Sequence, residues 1–156
     1  MTDCVICDLD GTIAHPNGRN VYDASTADQD IPDLLVLSVL WAIFYDFAAE
    51  NTSKSQAIVY VSARPEQYRA PTLKFLKSHA PKSIDGMGGS LHPSGYVLYM
   101  RANGDVRKDT VVKRELLDKI RADGYNPVLA IDDRPAVCRM FREQGIKVLQ
   151  CNDIEF

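Results

Sequence analysis

Five short apolar runs alternate with four longer stretches of helical periodicity, and this alternation limits the fold more than any other feature of the chain. The runs cover 4–9, 57–61, 96–100, 128–131 and 147–151; each has the length and the branched or aromatic content of a buried strand. Between them the pattern predicts helices at about 31–50, 66–79, 109–123 and 135–144. In the third, Val112, Leu116, Leu117 and Ile120 form an apolar stripe that Gly124 ends; the fourth opens on Pro135 and closes on Gly145. Strands separated by helices pair in parallel through crossovers. The expectation is an α/β fold: a mainly parallel five-stranded sheet with helices on both faces. With 156 residues, the chain is expected to be a single domain spanning 1–156.

Composition removes several classes. The chain is 46% hydrophobic and 25% charged, values of an ordinary globular domain rather than a disordered or collagenous one. Eighteen Lys plus Arg against 21 Asp plus Glu give a formal charge of -3, so a nucleic-acid partner would need its basic residues gathered locally. Cys4, Cys7, Cys138 and Cys151 are too scattered for a disulfide framework. Although Cys4 and Cys7 form a C-x-x-C, positions three apart in a strand point to opposite faces, which favours core burial over zinc or redox chemistry. These scattered cysteines make the reducing cytoplasm the expected location, and the N-terminus shows no basic segment followed by an apolar one, so no signal peptide is expected. The apolar segment Leu34–Ala49 falls short of the roughly 20 residues a membrane span needs, and it reads as a core helix whose first turn holds Pro32.

In a sheet of this type, ligands bind beyond the carboxyl ends of the strands. The first strand ends in ICDLDGT, where Asp8 and Asp10 share one side of the extended chain and Gly11 turns it. The fourth ends in LAIDD, adding Asp132 and Asp133. Four carboxylates at one crevice repel one another unless a proton or cation sits among them. A hard divalent ion, most simply Mg²⁺, is the economical counter-charge. Ser62, in YVSAR, lies where a hydroxyl and backbone N–H groups would bind an anion, and Lys108, just ahead of Asp109, would bring a positive charge to the same edge. Taken singly, Ser62 reads as a capping hydroxyl and Lys108 as a surface lysine. Together with the carboxylates they describe a phosphoryl-transfer site.

The order DLDGT, VSAR, RKD and IDD resembles the four motifs of the haloacid dehalogenase superfamily of aspartate-nucleophile phosphatases. NGR at Asn17 to Arg19 with Tyr22 and Asp23, GDVRKDTVVKREL from Gly104 and LAIDDRPAVCRMFREQGIKVLQ from Leu129 are similar to the 3′-phosphatase domain of phage-type polynucleotide kinase-phosphatases. The likeness is weaker over 84–95. The resemblance implies a HAD-like, Rossmannoid domain, and a chain this short is expected to carry no large cap. It implies that Asp8 attacks phosphorus and becomes an aspartyl phosphate. Asp10 would protonate the leaving oxygen and then activate water, while Ser62 and Lys108 would hold the phosphoryl oxygens. Mg²⁺ would be bound by Asp8, the backbone carbonyl of Asp10, Asp132 and Asp133. Among the arginines close to these motifs, Arg19, Arg64 and Arg101 match positions of the related domain and are the expected substrate contacts; Arg107 and Arg134 read as surface residues.

The expected activity is removal of terminal 3′ phosphates from DNA or RNA, with cyclic 2′,3′ phosphates as a further expected substrate. No phosphate-binding loop of a kinase occurs in the chain, so a separate kinase or ligase is a candidate partner, and no membrane is expected. The alternative keeps the chemistry but takes a nucleotide or another small phosphate ester, with 84–95 as a small lid. A module that only binds phosphorylated ends ranks lower, because both carboxylate pairs are present. Tyr60, Tyr68, Tyr96 and Tyr99 read as core or half-buried residues rather than base-stacking ones, and His15, His79 and His92 lack metal-ligand spacing.

Overall fold

The computed structural model describes residues 1–49, 56–83 and 94–154. Five strands make the main sheet: β1 (Thr2–Asp8), β4 (Gln56–Pro65), β5 (Val97–Arg101), β6 (Tyr125–Asp132) and β7 (Lys147–Gln150), with β2 (Ala14–His15) and β3 (Ile31–Pro32) forming a separate small hairpin. The order is β5-β4-β1-β6-β7, every neighbouring pair is parallel, and β1 is central. Because β1 is flanked by β4 and β6, which lie on opposite sides of it in the sheet, the crevice opens where their carboxyl ends meet. In register, Asp8 pairs with Val61 and Cys7 with Ile131. The ends of these three strands therefore come out side by side.

Helices α1 (Leu34–Ala49) and α2 (Arg69–His79) cover one face of the sheet, where Leu37, Leu40, Phe75 and Leu76 join Val5, Cys7, Ile58 and Tyr60. Helices α3 (Asp109–Ala122) and α4 (Pro135–Glu143) cover the other, where Leu117, Ile120, Val137 and Phe141 join Cys4, Ile6, Val59 and Val61. Cys4 and Cys7 belong to opposite cores, as the strand period requires. Burial pushes the Cys4 thiol up to about 12, which keeps it protonated and a poor ligand or nucleophile. Tyr60 and Tyr96 lie buried in the first core and Tyr99 in the second, and Tyr68 packs against the first.

Three local expectations are corrected. Pro32 does not open α1: it pairs with Ala14 in the hairpin, and Asp33 begins the helix, its Oδ1 accepting the Val36 N–H at 3.1 Å. The helix expected from 66 begins only at Arg69, after a 3₁₀ turn at Glu66–Tyr68 that follows Pro65 at the end of β4. Finally, α1 is apolar all round, yet Leu34, Leu35, Val39 and Tyr45 face solvent while Leu37 and Leu40 are buried, so it is a core helix on one side only. Among the described residues, no helix is long and apolar enough to cross a membrane. His92 and most of 84–95, including the lid reading, fall outside the described residues.

Candidate active site

Asp8 ends the central strand and is almost wholly buried, as are Asp132 and Asp133 at the end of β6. One ligand oxygen from each lies within 4.8 Å of the others. Thr12 ties the group together, its Oγ1 lying 3.0 Å from Asp8 Oδ2 and 3.2 Å from Asp133 Oδ1. Asp132 Oδ1 accepts the backbone N–H of Arg134 at 3.0 Å at the start of α4, which points the dipole of that helix at the cluster.

The cation inside this cluster is Lys113. Its Nζ donates to Asp8 Oδ1 and to Asp132 Oδ2, both at 2.7 Å, and its side chain is 4% exposed. Burial works against its charge, but Asp132 and Asp8 outweigh that penalty and raise its pKa above the usual lysine value. Lys108, the lysine expected from the RKD segment, is exposed at the N-cap of α3. The correction follows from helix geometry. A residue ahead of the first turn lies outside the core-facing stripe, whereas Lys113 stands at i, i+4 and i+7 from Leu117 and Ile120 and points with them toward the sheet. A lysine at a core position of an amphipathic helix was the readable signal.

One lysine does not balance three buried carboxylates. Burial, then the charges of Asp132 and Asp133, push the Asp8 carboxyl well above the ordinary aspartate value despite Lys113. With all three carboxylates ionised the cluster carries a net -2, the charge and oxygen-rich donor set that suit one hard divalent cation. Gly11 makes the close packing feasible. Its φ is +79°, and a Cβ built there would lie 2.3 Å from Asp133 Oδ2. Gly11→Ala is therefore expected to cost at least about 1–2 kcal/mol from the backbone alone and to displace Asp133. A lower melting temperature together with weakened divalent-ion binding in a titration would show both effects; a variant with wild-type melting and wild-type ion affinity would contradict them.

Asp10 departs from the cluster. Its carboxylate accepts Arg64 Nη2 at 2.7 Å and Arg64 Nε at 2.8 Å, and Arg19 Nη2 at 3.3 Å. Its side chain remains 43% exposed, so it is reachable from the crevice. Both arginines are buried on Asp30, which accepts Arg19 Nε at 2.7 Å, Arg19 Nη2 at 2.8 Å and Arg64 Nη2 at 2.8 Å. Thr72 on α2 accepts Arg64 Nη1 at 3.1 Å. Asp30 is a site residue that sequence reading missed, because an isolated aspartate before a hairpin strand looks like a turn residue. Its place in this network exists only once 19, 30 and 64 are folded together.

Ser62 is fully buried at the end of β4, and its Oγ accepts the Arg64 N–H at 3.1 Å. That bond uses a lone pair of the hydroxyl and leaves its proton for another acceptor. Arg101 is placed differently from its expected substrate role. It is buried and donates to the carbonyls of Ala63 (2.7 Å), Arg107 (2.7 Å) and Asp105 (3.1 Å) and to Asp109 Oδ1 (2.6 Å). Its donors hold the 102–109 loop against β4. Arg134 pairs with the same Asp109, and Arg107 with Asp105 and Glu115.

A family model for the polynucleotide kinase PNKP phosphatase domain matches residues 2–156. The chain belongs to that family. It is a phosphatase with the haloacid dehalogenase fold. A putative bifunctional polynucleotide kinase/RNA ligase of Autographa californica nuclear polyhedrosis virus is 29% identical over 155 residues, 97% of this chain and 20% of the viral protein. Two solved structures are similar, one described as the Pnkp1/Rnl/Hen1 RNA repair complex (TM-score 0.76, 33% identity, 99% of this chain and 44% of that one) and one as the Pnkp1/Rnl/Hen1 complex (TM-score 0.77, 34% identity, 100% and 48%). The phosphatase chain thus spans a fifth of the viral relative and under half of the matched structural chains.

Proposed function

We propose that this phosphatase is a Mg²⁺-dependent polynucleotide 3′-phosphatase, acting on terminal 3′ phosphates of DNA or RNA. The observation that carries the reading is the division of labour between two adjacent carboxylates: Asp8 buried with Lys113, Asp132 and Asp133, and Asp10 half-exposed on Arg64 and Arg19. Asp8 Oδ forms the bond to phosphorus as the bond from phosphorus to the sugar oxygen breaks. Asp10 gives its proton to that oxygen. In the second half, Asp10 takes a proton from water, whose oxygen displaces Asp8 from phosphorus and releases phosphate. Lys113 holds Asp8 in place and offsets charge on the transferring group, and the Ser62 hydroxyl proton is directed to a phosphoryl oxygen.

Asp8, Asp132 and Asp133 would hold Mg²⁺, with the backbone carbonyl of Asp10 as a further ligand. Bound there, the ion supplies neutralisation of charge on the phosphoryl oxygens. Arg19 and Arg64 set the position of Asp10 and stand beside the scissile phosphate. The viral relative is described as a putative bifunctional polynucleotide kinase/RNA ligase, and one of the similar structures as an RNA repair complex. That setting supports a product 3′ hydroxyl that a ligase or polymerase consumes, and a kinase or ligase as the partner chain.

The test is phosphate release from 3′-phosphorylated DNA and RNA oligonucleotides, set against a mononucleotide at matched concentration, with Mg²⁺ and with a chelator. Turnover of the oligonucleotides in Mg²⁺, lost in chelator, is expected. Preference for the mononucleotide would favour the small-ester reading instead.

A further inference from the structure

We propose that Tyr22 is the platform on which the terminal nucleobase of the substrate stacks; the inference rests on the polynucleotide reading above. The segment 16–30 leaves the hairpin at β2 and returns at β3. Most of its anchors are buried: Ala24, Ala27, Asp30 and the Arg19 side chain. Two apolar residues are not, since Val21 is 66% and Tyr22 88% exposed.

Arg19 fixes where they stand. Its Nη1 donates to the carbonyls of Asn20 and Asp23, both at 3.2 Å, so the chain on either side of Val21 and Tyr22 converges on one guanidinium. The same guanidinium reaches Asp10 at 3.3 Å. The tip is also stiff. Asn20 Oδ1 accepts the Tyr22 N–H at 2.9 Å, the Asn20 carbonyl accepts the Asp23 N–H at 3.1 Å, and Asp23 Oδ1 accepts the Ser25 N–H at 3.0 Å. A hydrogen-bonded turn thus holds an exposed aromatic ring on a loop whose backbone is tied to the guanidinium that also contacts Asp10.

A tyrosine this exposed adds nothing visible to the fold, and leaving its apolar ring in water is unfavourable. A 3′-phosphorylated end offers a matching surface, since the base is joined to the phosphate through one sugar. With the phosphate at Asp8, stacking on Tyr22 would put the base on the side of the site where Arg19 ties this turn to Asp10. Stacking is tolerant of sequence because every base has a π-face, so this contact recognises a nucleotide end without selecting among bases.

The experiment compares kcat and KM of wild type, Tyr22→Ala and Tyr22→Trp on a 3′-phosphorylated oligonucleotide and on the same oligonucleotide ending in an abasic 3′-phosphorylated sugar. Tyr22→Ala is expected to raise KM for the complete end by roughly 5- to 150-fold with kcat within about twofold. Tyr22→Trp should keep wild-type KM, and neither variant should differ from wild type on the abasic end. An unchanged KM in Tyr22→Ala, or an equal rise on both substrates, overturns the stacking role. Wild type that turns over a mononucleotide but neither oligonucleotide overturns the polynucleotide reading, and the inference with it.

Discussion

Asp8→Asn is expected to lower phosphate release at least about a thousandfold, because the amide is no nucleophile toward phosphorus and nothing else at the end of β1 can replace it. The same change should not weaken the metal-free protein. In the folded state the Asp8 carboxyl is pushed above its ordinary value by burial and by Asp132 and Asp133. Its ionisation therefore opposes folding above that raised value, and the penalty fades as pH falls toward the unfolded-state value. Asparagine keeps the shape and removes the charge. Thermal melting at neutral pH without divalent ions should give a midpoint at or above that of the wild type, and added Mg²⁺ should stabilise the variant less than the wild type. Substantial turnover in Asp8→Asn would remove Asp8 as nucleophile. A large loss of stability would show that its charge serves the fold through Lys113 rather than straining it.

Lys113→Met is expected to damage both activity and stability. Its ammonium is the positive charge that contacts Asp8 and Asp132 inside the cluster, at 2.7 Å from each. Removing one partner of a buried ion pair leaves the others uncompensated, at a cost of about 3–5 kcal/mol. For a domain of this size that is a fall in melting temperature of roughly 10 °C. Mg²⁺ should recover part of the stability, since it supplies positive charge to the same carboxylates. It should not recover the rate, which is expected to stay at least about a hundredfold down because Asp8 loses its positioning contact. Lys108→Ala is the informative control. Exposed at the start of α3, it should change stability by less than about 0.5 kcal/mol and the rate by less than about threefold. Melting curves and steady-state kinetics on the two variants decide which lysine serves the site; a silent Lys113→Met with an inactive Lys108→Ala would reverse the assignment.

These two lysines show where sequence reading succeeds and where it stops. The carboxyl ends of β1 and β6 were legible to within a residue because the apolar runs 4–9 and 128–131 close at carboxylates, and a parallel sheet brings the carboxyl ends of adjacent strands together without further information. The lysine was assigned by nearness to a motif. The α3 stripe pointed instead to Lys113, five residues on, where a charge interrupts the core-facing side. Arg101 illustrates a different limit. Its residue type suits phosphate, but its donors are taken by three carbonyls and Asp109, a use that depends on loop geometry no linear pattern displays. Asp30 was invisible for the same reason: it matters because two arginines from distant segments close on it.

By itself the sequence determined the layered α/β architecture, both carboxylate pairs and their place at the strand ends, because periodicity and the rise of a strand are local properties of the chain. Only the tertiary structure decided that Lys113 lies within hydrogen-bond distance of Asp8 and Asp132, that Asp10 is turned onto two arginines while Asp8 is held among acids, and that Tyr22 stands exposed. Those are matters of electrostatics and packing between residues far apart in the chain, and such energies are set by distances and burial that exist only in the folded molecule.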